Sequence, residues 1–326
     1  MHFPDTRLSR LFKLERPILS APMAFAAGGA LAAAVSRSGG LGIIGGGYGD
    51  PGWLDEQFAL AAGAPVGVGF ITWPLRKSPS VLTGALRHRP VAVMLSFGDP
   101  RPFVPEIRAA GARLICQCQD MEHVMDAVDV GADVIIAQGA EAGGHGGARG
   151  TLTFVPEAAD YIAEHRPESI LVAAGGIADG RGLAAALMLG AEGVLIGTRF
   201  WASHESLAHD RHRQALLDTD GDGTLRTRVA DIARQLPWPV KLTARIRQNA
   251  FTRRWHGHEA ELESRAAAVG IEYRKAFAQG DPEQTAVFFG EAAGLIQSVD
   301  SVDAIMRHIE AQALECLQRF AHRQDS

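Results

Sequence analysis

The chain is poor in cysteine: Cys116, Cys118 and Cys316 are all it has in 326 residues. A small, odd number rules out a disulfide framework and points to reduced thiols and a cytoplasmic location. No uninterrupted apolar run approaches the ~20 residues that a membrane-spanning helix requires. The opening stretch MHFPDTRLSRLF lacks the apolar core of an export signal, so neither export nor a membrane is expected. There is no basic excess either. The formal net charge is −5, which makes nucleic acid an unexpected partner. Low-complexity segments and internal repeats, apart from one secondary-structure rhythm, are absent. Metal-ligand spacing is missing too: His256 and His258 in WHGHE stand two apart and would not share a helix face. The CQC of residues 116–118 lies in an apolar run that reads as a strand. DTDGDG at 218–223 resembles a calcium loop, but its twelfth position is Val229 where a bidentate Glu belongs. No metal is expected.

Apolar residues make up 47% of the chain and charged residues 21%, the balance of a soluble enzyme with a substantial core. The 37 glycines and 16 prolines are scattered between apolar runs, which signals tight turns and not disorder. Those runs alternate with helical patterns. Strands are read at Pro17–Pro22, LGIIGG, PVGVGFI, VAVMLSF, RLICQC and DVIIAQG. Helices are read after Gly29, at Pro51–Ala62, Ser80–His88, Val104–Ala110 and Met121–Val130, and near Pro156–His165. The stretch Ser169–Trp201 supplies two more strands, SILVAA and GVLIGTRF, around a helix capped by Asp179 and ended at Gly190. Eight β/α units predict a (β/α)8 TIM barrel, because an open doubly wound sheet stops nearer six strands. GLGIIG at 40–45 matches a dinucleotide fingerprint, but its isoleucines fall inside a strand, so tight strand packing is the plainer reading. From about 205 to 285 the alternation stops, and helical stretches such as Arg211–Leu217 and His258–Ala268 follow. The expected division is a barrel of residues 1–204 and 300–326 with a small, mainly helical subdomain, 205–299, inserted after strand eight and covering the rim. A last helix from Ser301 to about His322 carries Val302, Ile305, Ile309, Ala313 and Leu317 on one face and is expected to close the barrel.

Two features of the rim carry chemistry. The last two barrel strands end in Gly175–Gly176 and Gly197–Thr198. Bare backbone there suits a phosphate, since glycine lets N–H groups approach an anion and such barrels bind phosphate after strands seven and eight. The second feature is AQGAEAGGHGGARG, residues 137–150, where five glycines surround His145 between positions 139 and 147. Imidazole exchanges a proton near neutral pH. By themselves these residues admit a catalytic histidine or a structural one.

EAGGHGG at 141–147, AAGGIADGRGLAAALMLGAEGVLIGTRF at 173–200 and APM at 21–23 resemble the nitronate monooxygenase family, formerly called 2-nitropropane dioxygenases. PWPVK, RQNAFTRRW and FFGEAAGLI extend the resemblance through nearly the whole chain. The resemblance implies an FMN-dependent oxidoreductase that oxidises alkyl nitronates with O2 to a carbonyl product and nitrite. It implies FMN phosphate on the backbone of Ala174, Gly175, Gly176, Gly197 and Thr198. Ala21, Pro22 and Met23 would pass beside the isoalloxazine, Gln117 would reach it, Gly143 would contribute a backbone contact, and His145 would be the active-site histidine. Partners would be a small-molecule substrate and O2; the oligomeric state is left open. A flavin-dependent enoyl-acyl-carrier-protein reductase or an NAD(P)H:quinone reductase on the same scaffold are the alternatives. A barrel that binds FMN or another phosphate ligand without catalysis is a third. No lysine stands at the strand ends near the expected ring, so the group that balances charge on a reduced flavin is unassigned; Gln117 and Gln138 are neutral donors.

Overall fold

A computed structural model describes residues 5–321. Eleven strands are present among them: β1 (Ile18–Ser20), β2 (Ile43–Gly47), β3 (Gly67–Ile71), β4 (Ala92–Ser96), β5 (Arg113–Cys118), β6 (Val134–Gln138), β7 (Gly144–Gly146), β8 (Ile170–Ala174), β9 (Val194–Ile196), β10 (Thr224–Thr227) and β11 (Thr243–Arg247). Eight of these form one parallel sheet in the order β1-β9-β8-β6-β5-β4-β3-β2. The remaining seam, between β1 and β2, is joined by a parallel bridge at Leu19 and Leu41. There the N–H of Leu41 donates to Ile18 and that of Ser20 to the Leu41 carbonyl, both at 3.0 Å. This is the expected TIM barrel, and each expected strand lies where its apolar run stands.

Side chains alternate along each strand, so the two faces of the sheet have separate cores. Leu19, Ile43, Met94, Ile115, Ile136, Val172 and Leu195 fill the barrel interior, with Leu8 of the N-terminal helix Arg7–Phe12 packed against them. Val68, Val93, Leu114, Ile135, Leu171 and Ile196 face outward, against the helices. Acidic caps start the helices as expected: Asp50, Asp120 and Asp179 accept from the first-turn N–H groups of the helices beginning at Pro51, Met121 and Gly180.

Two expectations change. The helix read near Pro156–His165 begins at Thr151. Proline punctuates helix starts in a sequence, but here Pro156 sits inside, and the Leu152 residue one turn earlier is 70% exposed, so its carbonyl can turn to solvent. Glu141 supplies the true N-terminus, accepting from Thr151 N at 2.9 Å. Second, two strands that were not expected stand among the helices of the segment after β9. It contains Asp210–Leu217, Val229–Arg234, Ala250–Trp255, Glu259–Ser264 and Ala266–Ala278, but also β10 and β11. Those strands pair antiparallel, and β11 pairs with β7 from the barrel's own glycine-rich connection.

The last helix runs Val302–Ala321; His322, where the expected helix ended, lies outside the described residues. Val302, Ile305, Ile309 and Ala313 are buried, against Gly180–Met188 and the helix Gly29–Arg37. Gly180 allows the close approach, since a Cβ there would lie 2.3 Å from the Ala313 nitrogen. Ile309→Ala is therefore expected to cost about 2–5 kcal/mol, read as a lower denaturant midpoint at unchanged slope.

Candidate active site

The interior series of side chains changes character at the C-terminal ends of the strands. After Met94, Ile115, Ile136 and Val172, the next inward positions are Ser96, Gln117, Gln138 and Ala174. Above them opens a cavity of about 550 Å³, within the range of ligand pockets. All the candidates read from the sequence line it: Ala21, Pro22 and Met23 after β1, Gln117 on β5, Gly143 and His145 in the glycine-rich connection, Ala174, Gly175 and Gly176 after β8, and Gly197 and Thr198 after β9.

The floor is backbone. Gly175 and Gly176 take φ of +104° and +71°, conformations that L side chains rarely adopt. The register of β8 on β9 aims the Gly175 N–H at the Leu195 carbonyl, while the turn and loop bonds among the described residues include none donated by Gly176, Gly197 or Thr198. The strand β9 ends earlier than its apolar run, and Thr198 begins one turn of helix, Thr198–Trp201. Its hydroxyl accepts from Gly290 N at 3.0 Å and keeps its own hydrogen to donate. These glycine-rich strand ends line one face of the cavity, and their backbone fits a phosphate group.

His145 comes to this cavity on a strand and not on a free loop. β7 is an edge strand with His145 opposite Ala244. Arg226 donates to the carbonyls of Ala140 (3.1 Å) and Gly146 (2.6 Å), and Arg245 donates to Ala140 at 2.9 Å. Two guanidiniums so fasten both sides of the histidine to the β10–β11 hairpin. Burial, together with the neighbouring Arg245, pushes Arg226 down to about 10. From below, the Gln138 carboxamide donates to the His145 carbonyl at 3.1 Å and accepts from Gln117 at 2.7 Å. Gly143 must be glycine, because a Cβ would lie 2.5 Å from the Phe289 carbonyl carbon.

The ring itself has two neighbours that the sequence did not disclose, and one of them holds a third residue. Its Nε2 lies 2.9 and 3.0 Å from the two carboxylate oxygens of Asp231, on the helix Val229–Arg234. Trp238 stacks on it, centroids 3.5 Å apart and planes 6° from parallel. The Trp238 indole N–H donates to the Tyr48 hydroxyl at 3.0 Å. His145 and Asp231 are deeply buried, their side chains 9% and 4% exposed. Burial pulls the His145 pKa below its ordinary value and outweighs Asp231, which pulls it up; Arg234 and Arg226 add to the lowering. This lowering favours the neutral imidazole, the form that accepts a proton. Burial raises Tyr48, and the Arg234 guanidinium opposes it. Arg234, on the inserted segment, is the one Lys or Arg among the described lining residues. No adjacent motif marks Asp231 or Arg234 in the sequence; Trp238, set between two prolines, is the more visible of the missed residues.

The sequence features set aside above have structural roles. Cys116 and Cys118 face outward from β5 and are buried, while Gln117 between them faces the cavity. Asp220 accepts from Gly223 N at 2.9 Å and forms a turn. A Cβ on Gly42 would lie 1.8 Å from the Ala32 carbonyl oxygen, so GLGIIG packs a strand against a helix.

A second histidine lines the same cavity. His212 is buried, its Nε2 has no partner among the described residues, and burial with His209 nearby pushes its pKa down to about 4. Between an ordinary 6.5 and that value the unfolded chain binds a proton that the folded one refuses, so stability falls as pH falls through this window. His212→Gln is expected to flatten that part of the slope. Melting temperatures of both proteins from pH 4 to 7 check it, and identical slopes would contradict it.

The family model for nitronate monooxygenase matches residues 5–68 and 80–311. A nitronate monooxygenase of Metarhizium robertsii is 36% identical over 91% of this chain and 90% of its own length. Among solved structures, FabK from Thermotoga maritima superposes with a TM-score of 0.87 at 31% identity, covering 98% of this chain and 99% of that one. A nitroalkane oxidase from Streptomyces ansochromogenes superposes with a TM-score of 0.80 at 25% identity over 96% and 99%.

Proposed function

The chain belongs to the nitronate monooxygenase family, and from that premise we propose that it oxidises alkyl nitronates with O2 to a carbonyl product and nitrite, using FMN. The observation that carries this reading is the pairing of glycine-rich strand ends with one buried imidazole on the same cavity. Gly175, Gly176, Gly197 and Thr198 would hold the phosphate, with Ala174 beneath them. Ala21, Pro22 and Met23 would lie along the isoalloxazine, Gln117 would donate to it and Gly143 would meet it with backbone. Bound flavin supplies the electron acceptor for the nitronate. The residues do the rest. His145 takes the α-proton of a neutral nitroalkane, or holds a nitronate already formed. Trp238, Tyr48 and Phe97 form an apolar wall that limits water. Residues 205–299 act as the cover of a rim built by 1–204 and 300–326. No helix among the described residues is long and apolar enough to cross a membrane, and the three free thiols support a cytosolic setting.

The discriminating experiment is anaerobic. The purified yellow protein is mixed with propyl-2-nitronate or with NADH, and flavin absorbance is followed. Bleaching by the nitronate is expected. Bleaching by NADH alone would replace this reading with a reductase. Mass analysis of the flavin released by heat identifies it as FMN.

His145→Asn is expected to retain flavin and to lose about 100-fold or more in turnover of neutral nitroalkanes, with a much smaller loss on preformed nitronates. Equal losses would remove the base role. Gly176→Asp places charge and bulk at a positive-φ position next to Glu141. It is expected to weaken FMN at least about tenfold, about 1.4 kcal/mol; flavin content equal to that of the parent protein, with the fold intact by circular dichroism, would show the phosphate lies elsewhere.

A further inference from the structure

Asp231 is a buried carboxylate with no arginine or lysine within salt-bridge distance among the described residues. Its only side-chain hydrogen-bond partner among them is Nε2 of His145. A carboxylate in a dry site normally takes a guanidinium, because an unpaired buried charge is costly. Here it is committed to one imidazole, whose face is fixed by Trp238 and whose carbonyl is held by Gln138.

We propose that Asp231 is the positioning residue of the proton transfer, a role that rests on the reading of His145 as the proton-handling group. An ionised carboxylate only accepts hydrogen bonds, so the ring hydrogen must sit on Nε2. The lone pair is then on Nδ1, which has no protein partner among the described residues and is the base. In the step, the α C–H bond of the nitroalkane breaks and its proton goes to Nδ1. The C–H electron pair becomes the C=N π bond, and the N=O π pair moves onto oxygen, giving the nitronate. The positive charge that appears on the ring faces Asp231, with Arg226 on β10 and Arg234 on the Asp231 helix opposing it. Tyr48 reaches the ring only through Trp238.

The test is Asp231→Asn in the flavin-loaded protein, against wild type and Asp231→Glu, with a neutral nitroalkane and its preformed nitronate as substrates. An amide keeps the shape but loses the charge, and its NH2 can force the ring hydrogen onto Nδ1. For the Asn variant, kcat on the nitroalkane is expected to fall about 100-fold with KM little changed, and at least about tenfold more than on the nitronate. The acid limb of kcat/KM on the nitroalkane is expected to move to lower pH, since losing the anion favours the neutral ring. Asp231→Glu keeps the charge on a longer stem, so its limb should stay at the wild-type pH while turnover drops. Equal losses on both substrates, or an unmoved limb in the Asn variant, would overturn the proposal. If the Asn variant does not hold flavin, the Glu variant decides: a displaced limb or unchanged turnover overturns it, and lowered turnover at an unmoved limb supports it. A selective loss in His145→Asn without one in Asp231→Asn removes Asp231 alone. No selective loss in His145→Asn removes both roles.

Discussion

Closing eight parallel strands into a barrel forces every second side chain into a space that must be filled. Leucine, isoleucine, valine and methionine fill it through most of its depth. At the last inward register the chain switches to Ser96, Gln117, Gln138 and Ala174, which are short or able to hydrogen-bond one another. That switch ends the core and begins the cavity. The same alternation sends Cys116 and Cys118 outward into the helix layer, where burial pushes the Cys116 thiol up to about 12 and leaves it inert. Two cysteines and a glutamine in a row thus have unrelated fates, decided by a period of two.

A barrel alone would leave its histidine on a chain of glycines, the segment that loses most conformational entropy on ordering. The inserted segment removes that freedom. Its hairpin recruits Gly144–Gly146 as a third strand, and Arg226 and Arg245 hold the flanking carbonyls. The small sheet joins the inserted segment to the barrel's glycine connection, with His145 on its edge strand. Asp231 and Trp238 then arrive from the same segment to fix the ring's edge and face. Two residues separated by 86 positions in the chain are thus brought into one hydrogen bond.

The likeness to both a nitroalkane oxidase and FabK shows how much of this architecture is shared scaffold. Function is decided by the site and not by the barrel. One wall of that site is made by Tyr48, Phe97, Trp238 and Arg234, where the guanidinium lies 5.5 Å from the Tyr48 ring. The guanidinium packs on the ring face as a cation–π contact.

What could be read in the residues was whatever depends on neighbours in the chain. Apolar runs, glycine ends and acidic caps are local, so the eight strands and most helices were legible, and the glycine-ended strands and His145 pointed to the rim. The helix start at Thr151 was not, because Pro156 mimics a beginning and the real N-terminal acceptor, Glu141, is ten residues away. β10 and β11 were hidden because their residues, TLRT and TARIR, are half polar and gain strand form only by pairing with each other and with β7. Asp231, Trp238 and Arg234 carry no local mark of their task. Their roles come from burial and from contacts across long loops, and those exist only once the chain has closed on itself.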